Sequence, residues 1–157
     1  MKAVVFNSKV QAFIQENLHT DITKLILKKS IFDGISNTEL AEYIQGKIAS
    51  EKKLPTWFST TGIYFPKKLA IEQSSSEKTA AYKSMLIHGD SLLDLTGGLG
   101  VDTYYFSKTT KQVTHIERQV ELSAIAKHNA DVLRVKNCEF IVAESLDFLN
   151  KTLINEN

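Results

Sequence analysis

The chain has 157 residues, of which 43% are hydrophobic and 24% are charged, and its formal net charge is +1. This length suits one ordinary domain, or one domain with a small helical annex. A net charge so close to zero gives no bulk electrostatic argument for nucleic acid or for an acidic partner. The single cysteine, Cys138, cannot form an internal disulfide, and its apolar surroundings favour a small buried hydrophobe.

No segment approaches the ~20 apolar residues that a membrane helix needs, and the first residues, MKAVVF, are too short for a signal-peptide core. We therefore expect a cytoplasmic protein with no membrane partner. With only 7 Gly and 2 Pro and no low-complexity tract, the chain is expected to be ordered.

Residues 1–53 have helical periodicity and are predicted to form a helical amino-terminal domain. The apolar residues of the first helix recur at spacings of three and four: Val10, Phe13, Ile14 and Leu18. A second helix is predicted over ITKLILKKSIF, ending at Asp33 and Gly34. Ser36 and Glu39 have the spacing of a capping box and predict the start of a third helix.

Residues 54–70 follow no clear period and contain both prolines together with four aromatic residues. This composition predicts a linker or ordered loop that packs aromatic side chains between two parts of the chain. A stacking platform for a nucleic-acid base is the functional alternative.

Residues 71–157 are predicted to form the second domain. Ser74 and Glu77 give another capping-box spacing, and Tyr82, Met85 and Leu86 are expected to form the apolar face of the helix that follows. The neighbouring serines are explained equally well by helix capping and by anion binding.

From residue 91 the pattern alternates between strands and helices. Strands are predicted at 91–95, 112–117 and 138–143, with helices after each of them. Such alternation is typical of an α/β protein with a parallel, doubly wound sheet.

The stretch LLDLTGGLGVD, residues 92–102, is the main candidate for a functional site. A strand that ends in a glycine-rich turn before a helix lets a ligand approach the backbone, and the helix start offers unpaired N–H groups. Asp94 and Asp102 flank the turn, and this acidity suits an ammonium or sulfonium better than a pyrophosphate. Glu117, at the end of the second strand, is placed to accept both hydroxyls of a ribose.

Three known loops can be compared with this turn. A P-loop is excluded because no lysine follows the glycines. A dinucleotide fingerprint is matched in part, since Gly98 and Gly100 fit but Thr103 stands at the third glycine position. An S-adenosylmethionine (SAM) loop is matched by Asp94, Gly98 and Gly100, with Thr96 where the first glycine usually stands.

Three segments in this order, EQSSSEKTAAYKSML, LLDLTGGLGVDTYYFSK and HIERQVELSAIAKHNADVL, make the sequence recognisable. Together they resemble the amino-terminal half of a family of bacterial class I SAM-dependent methyltransferases. These are longer proteins with a helical amino-terminal part, a Rossmann-like core and a THUMP-like carboxy-terminal domain. The chain more distantly resembles trimethylguanosine synthases and related RNA methyltransferases.

The resemblance implies SAM as the cofactor and a role for each residue of the predicted site. Asp94, Gly97, Gly98 and Gly100 would surround the methionine moiety, with Asp94 near its ammonium. Glu117 would hold the ribose, and Glu144 stands where an acid often bonds the adenine amino group. The remaining predicted cofactor-binding residues are Thr96 and Asp102 in the turn, and Ser76, with Ser75 and Lys78, in a helix that closes over the cofactor.

In the resembling families, an Asp or Asn followed by two prolines comes after the fourth strand and positions the methyl acceptor. Both prolines of this chain lie before residue 70, so that motif is absent from the sequence. We therefore expect a truncated SAM-binding portion of an RNA methyltransferase, inactive alone, with an open edge at the first strand that could pair in a homodimer. The RNA substrate rests on the resemblance alone.

Two other classes of function stay open: an NAD- or FAD-binding domain, and a non-catalytic module that interacts through its helices. His115 and His128 have no nucleophile or metal-ligand spacing nearby, so both are expected to be structural, and no metal site is predicted.

Overall fold

A computed structural model describes residues 1–155, and the last two residues of the predicted second domain lie outside that part. The chain divides into two compact units, 1–73 and 74–157. No helix among the described residues is long and apolar enough to cross a membrane.

The first unit is helical. It contains a short 3-10 helix, Ala3–Phe6, followed by α1 Ser8–Glu16, α2 Ile22–Ile26, α3 Asn37–Lys53, α4 Pro55–Ser59 and α5 Lys68–Gln73. The helix α3 begins as the sequence predicts, because the Ser36 side chain accepts from the Glu39 N–H while the Glu39 carboxylate accepts from the Ser36 N–H.

The second predicted helix is much shorter than expected, since α2 ends at Ile26 rather than near residue 32. The reason lies in Asn37, whose buried amide nitrogen is 3.2, 2.8 and 3.2 Å from the carbonyl oxygens of Leu25, Lys28 and Lys29. These bonds satisfy carbonyls at the end of α2 and in the turn after it, so the chain can leave the helix without orphaned acceptors.

The segment 54–70, expected to be a linker between the two parts, lies within the first unit. Trp57, Ile63 and Phe65 are among its buried side chains, and the Ile63 carbonyl accepts from the Tyr43 hydroxyl at 3.0 Å. A Cβ on Gly46 would lie 2.0 Å from the Pro66 carbonyl oxygen, so a glycine in the middle of α3 lets this segment pack directly against the helix.

The second unit is a three-stranded parallel sheet flanked by helices, the expected α/β class. Its elements are α6 Glu77–Met85, β1 Ser91–Asp94, α7 Val101–Phe106, β2 Gln112–Glu117, α8 Val120–Val132, β3 Cys138–Val142 and α9 Ser145–Asn155. The strand order is β1-β2-β3, and the register pairs Asp94 with His115 and Glu117 with Val142. Within the described residues, β1 has β2 as its only strand neighbour.

The helix α6 differs from its prediction in both its start and its buried face. Ser76, not Ser74, caps it, because the Ser76 hydroxyl accepts from the Thr79 N–H at 3.1 Å. The residues expected to form its apolar face are exposed: Tyr82, Met85 and Leu86. Its buried side chains are Glu77, Ala80 and Ser84. The buried Glu77 carboxylate is satisfied by the Tyr105 hydroxyl of α7, from which it accepts at 3.0 Å.

Candidate functional site

The candidate site lies where the three parallel strands end. A cavity of about 340 Å³ opens there, within the size range of small-molecule sites. Its lining comes from the residues after β1, the end of β2 and the loop after β3: Leu95, Thr96, Ile116, Glu117, Arg118, Gln119, Glu144 and Ser145. The carboxyl ends of the strands are the general ligand-binding edge of open α/β sheets.

The glycine-rich turn after β1 is held tightly to β2. The Gly97 N–H donates to the Ile116 carbonyl at 2.9 Å. Gly98 and Gly100 adopt φ values of +54° and +80°, which other residues adopt only with strain. A Cβ on Gly100 would lie 3.3 Å from the Ala126 Cβ, so this glycine also lets the turn pack against α8.

Glu117 joins the end of β2 to the turn. Its two carboxylate oxygens accept from the N–H groups of Gly98 at 3.0 Å and Gln119 at 2.8 Å. A carboxylate offers about four acceptor positions, so two remain for a ligand. Because Glu117 also lines the cavity, it can accept from a polar ligand while it holds the turn in place.

Asp94, at the end of β1, is buried beneath the turn. Its Oδ1 accepts from the Thr96 N–H at 3.2 Å, and its Oδ2 accepts from the Thr103 hydroxyl at 2.8 Å. Burial raises the pKa of the Asp94 carboxyl above its ordinary value, and these two hydrogen bonds oppose the shift because they favour the anion.

His115 continues this network below the turn. Its Nδ1 lies 2.9 Å from the Thr103 hydroxyl oxygen, and the ring is fully buried. Burial lowers the pKa of His115 to about 4, so the imidazole is neutral at physiological pH. Because the Thr103 hydroxyl donates its hydrogen bond to Asp94, its oxygen accepts from His115. The hydrogen of the neutral ring is therefore on Nδ1.

The same histidine explains Gly97. A Cβ at that position would lie 2.2 Å from His115 Cε1 and 2.3 Å from Nδ1. Unlike Gly98 and Gly100, Gly97 does not have a positive φ. Contact with the ring, rather than backbone geometry, therefore requires a glycine there. Sequence reasoning assigned His115 only a structural role and did not connect it with the turn.

Asp102, at the start of α7, belongs to a neighbouring polar cluster. Its Oδ2 accepts from the Ser75 hydroxyl at 2.7 Å and from the Lys83 ammonium at 2.9 Å. Its Oδ1 is buried and has no hydrogen-bond partner among the described residues. Lys83 also donates to the Ser75 hydroxyl at 2.9 Å, and no sequence pattern had pointed to this lysine.

Glu144 lies at the edge of the cavity, where it forms an exposed ion pair with Arg118, 3.2 Å between Nη1 and Oε1. The next residue, Ser145, donates its hydroxyl to the Leu95 carbonyl and so ties the loop after β3 to the loop after β1. Arg118 is a further cavity residue that sequence reasoning did not select.

The predicted site residues therefore fall into three groups. Thr96, Glu117 and Glu144 line one cavity, while Gly98 and Asp94 are hydrogen-bonded to two of these lining residues, Glu117 and Thr96. Asp102 lies in the cluster with Ser75 and Lys83. The Ser76 hydroxyl is occupied in capping α6, so the structure does not bring it to the cavity.

The sequence matches no protein-family model and no curated protein. Its fold is similar to the crystal structure of a protein described as "putative methyltransferase" from Porphyromonas gingivalis W83, with a TM-score of 0.77 and 25% identity. The match covers 96% of this chain but 38% of that one, so the chain spans well under half of the length of its structural relative. With its three parallel strands and flanking helices, the second unit has a partial Rossmann-like methyltransferase fold.

Proposed function

We propose that this chain is the SAM-binding portion of a methyltransferase, and that the cavity at the strand ends receives the nucleoside of SAM. The observation that carries the proposal is the position of Glu117. It lines the cavity, fixes the glycine-rich turn through the Gly98 N–H, and keeps acceptor capacity for two ribose hydroxyls. The methyltransferase-like fold supports the same assignment.

The methionine end of SAM carries an ammonium and a carboxylate and ends at the sulfonium, so its net charge is positive and nearby carboxylates suit its two cationic groups. Asp94 and Asp102 supply two carboxylates close enough that the charge of Asp102 contributes to the raised pKa of Asp94. The unpartnered Asp102 Oδ1 is an acceptor for which the protein offers no donor among the described residues. A ligand ammonium is a suitable donor for such a group.

The adenine end is assigned to the side of the cavity that Arg118 and Glu144 form. The carboxylate of Glu144 can accept from the exocyclic amino group, and it is paired with Arg118 across the edge of the cavity. Because this pair is exposed, it contributes little to stability and can rearrange around a ligand at small cost.

SAM supplies an electrophilic methyl group on sulfur, and transfer requires a nucleophile held in line with it. The residues assigned above bind and orient the cofactor, and none of them positions an acceptor. The sequence has no Asp-Pro-Pro or Asn-Pro-Pro segment. We therefore propose that the chain binds SAM but does not transfer the methyl group alone, and that RNA is the acceptor of the complete system, as the resemblance implies.

In the part of the chain that the structure describes, β1 pairs with β2 alone, and this supports a further proposal about partners. Leu93 is 37% exposed on this strand, and an unpaired strand edge offers backbone groups to another strand. We propose that a second copy of the chain pairs there. Light scattering should give twice the monomer mass, and Leu93→Pro should restore the monomer.

Thermal denaturation with added ligands tests the proposed cofactor. SAM and S-adenosylhomocysteine should each raise the melting temperature, because a ligand that binds only the folded state stabilises it. NAD should have no effect. Stabilisation by NAD alone would replace the proposal with a dinucleotide-binding function, whereas no response to any of the three would leave the helical interaction module as the better hypothesis.

A further inference from the structure

The buried side chains of Asp94, Thr103 and His115 form a continuous hydrogen-bonded chain beneath the glycine-rich turn; we call it the histidine relay. It joins the end of β1 and the interior of β2 to the first turn of α7 through two bonds of 2.8 and 2.9 Å. All three side chains are at least nine-tenths buried, so water does not compete for these bonds.

The direction of the relay follows from counting protons. The Asp94 carboxylate can only accept hydrogen bonds, so the Thr103 hydroxyl must donate its single O–H to Oδ2. The Thr103 oxygen then accepts from His115 Nδ1–H, which leaves Nε2 as a lone pair. This assignment agrees with the environment of Nε2, which is buried and has no partner among the described residues.

The relay holds the turn in two ways. Through Thr103 it orients the Asp94 carboxylate, whose other oxygen accepts from the Thr96 N–H of the turn. Through its ring, His115 lies against the backbone of Gly97 and limits how far the turn can sink toward the sheet.

We propose that His115 is a positioning residue that acts through Thr103 on Asp94 and orients the Asp94 carboxylate toward the amino-acid ammonium of the bound SAM. This inference rests on the proposed SAM-binding function. It implies that the relay is needed for ligands that carry the amino-acid ammonium, and is dispensable for the same nucleoside without it.

The matched variants are Thr103→Val, which keeps the shape but removes the hydroxyl, and Thr103→Ser, which keeps the hydroxyl. Calorimetric titration should compare S-adenosylhomocysteine with 5′-methylthioadenosine, which lacks the amino-acid end. We expect Thr103→Val to weaken binding of the homocysteine compound about tenfold, the order of one charged hydrogen bond, and binding of the thioadenosine less than threefold. Thr103→Ser should stay close to the unchanged protein for both ligands.

If Thr103→Val weakens binding of both ligands equally, or of neither, the relay has no role in binding the amino-acid end. That result would leave SAM binding intact. If the unchanged protein binds neither ligand, the proposed function fails, and with it the relay's role in binding.

A spectroscopic measurement on the unchanged protein tests the relay without any ligand. Long-range ¹H–¹⁵N correlation should show His115 protonated at Nδ1 and unprotonated at Nε2 at pH 7. In Thr103→Val this tautomer preference should weaken, because its acceptor is gone. The opposite tautomer in the unchanged protein would refute the direction of the relay, whatever the binding data give.

Discussion

Replacing Gly97 with alanine tests the contact between the turn and His115. The added Cβ would lie 2.2 Å from the Cε1 atom and 2.3 Å from the Nδ1 atom of the buried ring, where ordinary Cβ contacts begin at 3.4 Å. The ring would have to retreat by about 1 Å, enough to stretch its bond to Thr103 beyond hydrogen-bond distance. Overpacking costs about 1–3 kcal/mol and the lost buried bond about 1 kcal/mol more, so we expect about 3 kcal/mol of destabilisation.

Urea unfolding followed by circular dichroism measures this cost, and two further variants separate its causes. Gly98→Ala adds a methyl group with no atom nearer than the Thr96 oxygen at 3.7 Å, so it should lose only about 1 kcal/mol through its positive φ. In a His115→Ala background the ring is absent, and Gly97→Ala should cost about 1 kcal/mol or less. The same cost for Gly97→Ala with and without the ring would refute the reasoning.

Three other predictions follow from single residues. Ser36→Ala should lower the free energy of unfolding by about 1 kcal/mol in urea titrations, because it removes the α3 cap, whereas Ser36→Gly should cost a few tenths. Because burial lowers the pKa of His115 from 6.5 to about 4, the unfolded chain binds more protons at this residue between these values, so the contribution of His115 to stability should fall by about 2 kcal/mol from pH 7 to pH 5. His115→Asn should lose most of that dependence, and an unchanged pH profile would show that the imidazole is not held neutral. Burial raises the pKa of Cys138 to about 12, so a thiol reagent at pH 8 should label it at least ~100-fold more slowly in the folded protein than in urea; equal rates would contradict this environment.

The sequence predicted the alternation of strands and helices in the second unit because each strand is short, apolar and bounded by turn residues. It also predicted the Ser36 cap, a local pattern that depends on residues three apart. The start of α6 was wrong by two residues because three consecutive serines offer several caps, and the side chain that the tertiary structure selects is Ser76.

The buried face of α6 could not be found by counting apolar residues. It consists of small side chains and of Glu77, which is satisfied by the Tyr105 hydroxyl of α7, a contact between residues 28 apart in sequence. The role of His115 is hidden for the same reason, since only the pairing of Asp94 with His115 across β1 and β2 places the ring under the turn. A histidine within a buried strand is the one signal that could have drawn attention to it.

The central claim is that Glu117 and the glycine-rich turn bind SAM, and calorimetric titration of SAM tests it most directly. The unchanged protein should bind, and Glu117→Ala should weaken binding at least tenfold, because hydrogen bonds to a charged group contribute about 1.5–3 kcal/mol. Glu139→Ala, which removes an exposed carboxylate from β3 and makes the same change in charge, should bind like the unchanged protein. Equal affinity in all three proteins, or no binding by any of them, would contradict the account.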